Sequence, residues 1–256
     1  MIPLHDNVPT RRFPLLTVAL IVANFAVFFW ELSAPPQVLR EQRSGQLVRV
    51  QGFDAVTAEY GFVPCELGSS CPHGSDTVAF GPALVRVHEE PVWLTLFSAM
   101  FMHGGWEHIL GNMLFLWIFG NNIEDRCGRL RFLLFYLAGG LAAAGLQFLS
   151  SPHSTVPNIG ASGAIAAVLG GYLLLYPFAA VITYVPPFFF FPLPALLFLI
   201  IWFGLQVAYS GVGQVGSSGA GVAYFAHIGG FLFGLLTIKL WVAGRNGGRG
   251  ARPRFG

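Results

Sequence analysis

The sequence predicts an all-α polytopic membrane protein, a bundle of six transmembrane helices with a long first extracytoplasmic loop. Three observations predict it. Of the 256 residues, 54% are hydrophobic and only 10% charged, whereas a soluble domain carries about 25% charge. The mean hydropathy of +0.63 leaves more apolar surface than a soluble fold can cover. Between Phe132 and Ile238 there is no Asp, Glu, Lys or Arg, in a stretch several times longer than the about 20 apolar residues that one span needs. A soluble enzyme and a disordered chain are thereby excluded. A net charge of +2 provides no basic face for nucleic acid.

In chain order, residues 1–13 form a cytoplasmic N-terminus and Pro14 to Trp30 the first span, an uncleaved anchor because Glu31-Leu32-Ser33-Ala34 runs into Pro35 without a small-residue cleavage site. Residues 33–92 are too polar to cross a membrane and are expected to pack against its face. Trp106 to Gly120 is the second span. Pro and Gly then divide the uncharged stretch into Phe132 to Leu149, Ile159 to Tyr176, Ala195 to Tyr209 with an aromatic, proline-rich lead-in, and Val222 to Trp241. Helices are expected because backbone polar groups in hydrocarbon must be satisfied within each segment, and no run shows barrel-strand alternation. The helical domain occupies 14–241, and 242–256 form a basic cytoplasmic tail.

Basic residues orient the bundle. Arg11, Arg12, Arg126, Arg129, Arg131, Lys239, Arg245, Arg249, Arg252 and Arg254 fall on one side of a six-span arrangement, which becomes the cytoplasm. The opposite side receives Arg40, Arg43, Arg49 and Arg86 among seven carboxylates from Glu41 to Glu90. Cys65 and Cys71 then lie in an oxidising compartment, where a disulfide between them and two free thiols are both open.

Polar residues at membrane depth cost free energy unless they are paired, wetted or in use. His108 and Asn112 are four apart and share a helix face. Ser162 opens the fourth span within Gly160-Ala161-Ser162-Gly163-Ala164, and His227 opens the sixth within Ala226-His227-Ile228-Gly229-Gly230. Ser162, Ala166 and Gly170 line one face, while His227, Gly230 and Gly234 line another. Small residues on both faces permit close approach. The two spans run the same way, so the meeting would bring Ser162 to His227 as a nucleophile with its general base. No carboxylate is available in the uncharged stretch, and Glu107 points about 100° away from His108 on an ideal helix. A Ser-His dyad is the economical reading. His108, Asn112 and the Ser162 backbone N–H are candidate oxyanion donors.

These strings resemble the rhomboid intramembrane serine proteases over nearly the whole chain: His103-Gly104-Gly105-Trp106-Glu107-His108-Ile109-Leu110-Gly111-Asn112-Met113, Gly160-Ala161-Ser162-Gly163, and Ala226-His227-Ile228-Gly229-Gly230 through Gly234. The resemblance implies Ser162 as nucleophile, His227 as base, and His108 and Asn112 in the oxyanion hole. It also implies single-span membrane-protein substrates that reach the site laterally past the fifth helix. Trp93-Leu94 stands where many members carry Trp-Arg.

Each signal has a plainer reading. A lone serine beside Gly and Ala is usually a packing residue, and a lone histidine is as often a packing or relay group. His103 reads as a satisfied helix-start histidine and His153 as solvated. Asn24 and Gln147 read as interhelical hydrogen-bond donors or acceptors, Phe188 to Phe191 as an interfacial cluster, and the basic tail as a contact for anionic lipid. Alternative functions are a catalytically silent protein that binds membrane helices and, less favoured, a transporter, which would ordinarily leave intramembrane charges. No cofactor is implied and no metal, since the histidines lack a clustered ligand pattern. The expected location is a bacterial cytoplasmic membrane.

Overall fold

A computed structural model describes residues 1–40, 46–71, 77–80, 83–86, 91–187, 189–212 and 223–244. The basic tail from Arg245, together with Arg43, Phe188 and Val222, lies outside the described residues. Among the described residues helix predominates. Among these residues three helices are long and apolar enough to cross a membrane, Leu15–Ser33, Arg129–Ser150 and Tyr224–Val242; Val92–Phe101, Ser162–Leu175 and Ala195–Tyr209 are shorter apolar helices. The protein is a polytopic, mostly helical membrane protein.

Its elements in order are β1 (Ile2–Asp6), α1 (Leu15–Ser33), β2 (Gln37–Arg40), β3 (Leu47–Val50), α2 (Gly52–Tyr60), α3 (Pro64–Leu67), β4 (Thr77–Phe80), β5 (Ala83–Arg86), α4 (Val92–Ser98) and a 3-10 turn (Ala99–Phe101). Then follow α5 (Trp106–Phe115), a π-helical turn (Leu116–Gly120), α6 (Asn121–Cys127), α7 (Arg129–Ser150), α8 (Ser162–Leu175), β6 (Ala180–Val185), β7 (Phe189–Pro194), α9 (Ala195–Val212) and α10 (Tyr224–Val242).

The expectation of an all-α chain is corrected by the strands. β1, β6 and β7 form a three-stranded antiparallel sheet in the order β1-β6-β7, with Ile2 opposite Tyr184 and Val185 opposite Phe189. The lead-in to α9 is therefore a hairpin. Its residues explain why: β-branched and aromatic side chains flank a Pro186-Pro187 turn, and Val181 and Thr183 are buried while Ile182 is exposed. The rhythm is too short to register in a scan for spans. The long loop likewise holds two hairpins, β2–β3 and β4–β5, besides its short helices. Phe189, Phe190 and Phe191 are exposed on β7.

The helix ends are held by charge. Glu124 accepts the backbone N–H of Leu16 at 3.0 Å, that of Thr17 at 2.8 Å and the Thr17 hydroxyl at 2.8 Å, placing a carboxylate at the N-terminus of α1. At the opposite pole of another helix, Arg131 donates to the carbonyls of Trp241 at 3.3 Å and Ala243 at 2.7 Å beyond the last turn of α10. Near the C-terminal end of α1, the buried Glu31 accepts the His103 N–H. Charged groups thus finish helices here instead of covering a surface.

α8 is the centre of the bundle, with every residue from Gly163 to Tyr172 buried. α10 lies against it so closely that a methyl group at Gly230 would strike the Gly163 carbonyl, and one at Gly234 the Ala167 carbonyl. Removing the side chains lets two backbones meet, the small-residue packing that apolar spans use in place of a hydrophobic driving force. α9 is different. Ala195, Phe198 and Leu199 are buried at its start, while Leu197, Ile200, Leu205, Val207 and Tyr209 are exposed.

The segment between α7 and α8 is tied to the long loop. Phe62 and Asn158 exchange backbone hydrogen bonds of 3.0 and 2.7 Å, and the Gly160 N–H donates to the Ala99 carbonyl at 2.8 Å. Cys65 and Cys71 are joined as a disulfide, and the Cys65 N–H donates to the Ser154 carbonyl at 3.1 Å. The chain entering α8 is therefore fixed from the side of the loop.

Candidate active site

Ser162 is the first residue of α8, partly exposed, while the ten that follow it are buried. A first-turn N–H has no acceptor within its own helix, so the Ser162 N–H faces outward as a donor beside its own hydroxyl. From α10, His227 presents its ring to the same point: the Ser162 hydroxyl and His227 Nε2 are 2.7 Å apart. The residues on either side of these two are what allow the distance. Gly230 lets α10 close onto the Gly163 carbonyl of α8 directly beside the pair, and Gly163 leaves room for Ala143 of α7.

The other face of the imidazole is also engaged. His227 Nδ1 lies 2.8 Å from Oε1 of Gln206, which α9 supplies. An amide oxygen can only accept, so Nδ1 carries the proton and donates it to Gln206. Nε2 is then the bare nitrogen that accepts the Ser162 hydroxyl. The Trp202 ring on α9 lies alongside, its centroid 5.9 Å from that of His227.

His108 and Asn112 on α5 converge on the approach to α8. A side chain at Gly160 would collide with His108 Nε2 at 2.7 Å and meet Asn112 Nδ2 at 3.6 Å. Gly160 also has φ +119°, a left-handed conformation that L-residues avoid. Both constraints call for glycine here. The Gly104 N–H donates to His108 Nδ1 at 3.2 Å, so that nitrogen is the acceptor and Nε2 carries the proton. The Asn112 amide nitrogen is buried without a hydrogen-bond partner among the described residues. Two side-chain N–H donors thus stand near the start of α8.

Next to Ser162 is a cavity of about 50 Å³ bordered by Met100, Gly140, Ala143, Gly163, Ala164 and Ala226. Met100 and Ala143 pack against the bare Cα positions of Gly140 and Gly163 in its wall. Gln147, on α7, accepts the Ala226 N–H at 3.2 Å through its amide oxygen and so bridges two helices one residue from His227.

Asn24 donates to the Leu20 carbonyl of its own helix at 2.7 Å, and its side chain also bonds Tyr136 of α7, the interhelical role expected of it. His103 is buried, with Nδ1 at 3.2 Å from the Phe101 carbonyl, and His153 and Glu107 are exposed. Trp93 is exposed on α4. Gln206 was missed by sequence reasoning. Its one signal was an amide in an otherwise apolar helix, without a matching partner at helical spacing. Asp6, Glu31 and Glu124 were missed as buried carboxylates because they lie outside the uncharged stretch and at the margins of spans. Among the described residues no three His, Cys, Asp or Glu side chains gather as a metal-ligating group.

The sequence is similar to several known proteins. Rhomboid protease GluP of Bacillus subtilis is 35% identical over 112 residues, 44% of this chain and 22% of that protein. Rhomboid protein 1, mitochondrial, of Saccharomyces cerevisiae is 31% identical over 154 residues, 56% of this chain and 40% of that protein. RHOMBOID-like protein 1 of Arabidopsis thaliana is 30% identical over 250 residues, 95% of this chain and 55% of that protein. The chain therefore spans about half, or less, of the length of these curated relatives. The Rhomboid domain matches residues 90–243, which hold Ser162, His227, His108 and Asn112, and the chain belongs to the rhomboid family.

Proposed function

We propose that this protein is an intramembrane serine endopeptidase that cuts single-span membrane proteins, with both termini in the cytoplasm, six spans, and a bacterial cytoplasmic membrane as its site. The observation that carries the reading is the 2.7 Å separation of the Ser162 hydroxyl and His227 Nε2. A neutral imidazole with a bare nitrogen at that distance removes the hydroxyl proton as the oxygen attacks a peptide carbonyl. A C–O bond forms, the carbonyl electrons move to its oxygen, and the Ser162 N–H, Asn112 Nδ2 and His108 Nε2–H stabilise that oxyanion. When the C–N bond breaks, the departing amine takes the proton from His227. Water, deprotonated by the same nitrogen, then attacks the acyl carbon, and as its bond to the Ser162 oxygen breaks that oxygen takes the proton back from His227.

The cavity beside Ser162 supports a substrate with a small side chain next to the cut bond, since Ala143 and Met100 leave space for little more. Such residues also hold a helix weakly when glycine is among them, which favours an extended strand at the site. The open face of α9 supports lateral approach of the substrate from lipid.

The test is labelling of detergent-purified protein with a serine-directed fluorophosphonate, alongside cleavage of a reporter that carries one transmembrane segment. Wild type is expected to label and to cut, and Ser162→Ala and His227→Ala to do neither. Cleavage that persists in Ser162→Ala assigns the activity to another residue and overturns the reading.

A further inference from the structure

The dyad contains two residues, but the imidazole has two nitrogens, and the second is as closely held as the first. From the 2.8 Å contact between His227 Nδ1 and Gln206 Oε1, we infer that Gln206 is the positioning residue of this active site: it sets the tautomer and ring orientation of the base, and it does so from α9. The inference rests on the peptidase reading above and extends it to a residue that touches neither substrate nor the reacting oxygen.

Among the described residues the His227 ring hydrogen-bonds Ser162 and Gln206 and no carboxylate. A neutral imidazole carries one proton, and either nitrogen can hold it. If it sat on Nε2, the ring could not accept from Ser162 and the base would be silent. In serine hydrolases with a third residue, that residue prevents the silent form by accepting from Nδ1. The amide oxygen of Gln206 does the same here without a charge. A carboxylate at this depth would have to be desolvated and would add a cost that an amide does not incur. An amide suits a base recessed among apolar helices.

The location on α9 gives the device its second property. Ser162 and His227 stand on α8 and α10, whose backbones touch, so their mutual distance is built into the bundle. Gln206 stands on a helix whose outer side chains are exposed and which meets α10 through rings, Phe203 stacking on Phe231 with centroids 4.5 Å apart and Trp202 lying by His227. The base thus takes its Nδ1 acceptor from α9, a helix with an exposed outer face that lies outside the interlocked pair α8 and α10.

The test compares Gln206→Met, which keeps the volume and removes the acceptor, with Gln206→Glu, which keeps an acceptor oxygen. Both are assayed by reporter cleavage at varied substrate concentration and by the rate of fluorophosphonate labelling, with Ser162→Ala as reference. Gln206→Met is expected to lower kcat at least about tenfold, the scale of one lost hydrogen bond, with KM changed much less. Its labelling rate should fall in parallel, and Gln206→Glu should recover part of both. A packing role would change KM and thermal stability together and would not be rescued by Glu. Gln206→Met with wild-type kcat and labelling, or a loss of rate that Gln206→Glu shares in full while both variants keep wild-type melting, overturns the inference. If labelling survives in Ser162→Ala, the peptidase reading itself fails, a result separate from either outcome at Gln206.

Discussion

α8 and α9 are adjacent apolar helices with opposite ways of being held. α8 is buried from Gly163 to Tyr172 and meets α10 through glycines at backbone distance. α9 buries Phe198 and Leu199 near its start and leaves Leu197, Ile200 and Leu205 exposed. The proposed peptidase reading makes two demands that this difference would serve: the interlocked helices hold the Ser162 hydroxyl and His227 at a fixed distance, and the exposed face of α9 is left open to a substrate segment. Gln206 connects the two, because it belongs to the looser helix and bonds the base on the tighter one.

Four substitutions test this contrast. The largest effect is expected at Asn112→Ala, which removes a buried, unpartnered donor near the start of α8; reporter cleavage should slow by about 10²–10³, and an unchanged rate would take Asn112 out of the oxyanion site. Next comes Gly234→Val. Its added side chain meets the Ala167 carbonyl, so overpacking should destabilise the bundle by about 1–3 kcal/mol or more, seen as a lower melting temperature in detergent. A wild-type melt would mean that α8 and α10 have slack.

A third prediction concerns the far end of α8. There the buried Asp6 carboxylate accepts from Asn122 Nδ2 at 2.7 Å and from the Tyr172 hydroxyl. Burial pushes this carboxyl up from 3.8 to about 6, so the folded chain holds the proton more tightly than the unfolded one does. Stability should therefore decline as pH rises from about 4 through 6, the range between the two values. Asp6→Asn should flatten that decline in melting curves; an unaltered pH dependence would show that Asp6 is not its source. The smallest effect belongs to Leu197→Ala on the lipid-facing side of α9, where stability should stay within about 0.5 kcal/mol of wild type. A large loss there would show α9 to be packed as firmly as α8.

Much of the site could be read before the structure. The spacing of His108 and Asn112, and the small residues in step with Ser162 and with His227, follow from the 3.6-residue period of a helix, and that period holds in lipid as in water. The helices α1, α7 and α10 could be located for a related reason, since lipid demands long apolar runs and penalises every charge. The hairpin β6–β7 and the strand β1 were not legible, because strands of five or six residues have periods too brief to stand out, and β1 finds its partner near Tyr184, far along the chain. Gln206 was silent for the same cause. Its partner is on another helix, and no rule of local spacing connects them.

The sequence by itself determined that this chain lives in a membrane, which segments are apolar, and which few polar side chains are left to carry chemistry, because composition and helical period are properties of short stretches. Only the tertiary structure decided how deeply α8 is enclosed, that a carboxylate finishes the start of α1, and that the imidazole is held at both nitrogens. Those are relations among residues brought together by folding, and their distances depend on how the backbones of separate helices come to rest against one another.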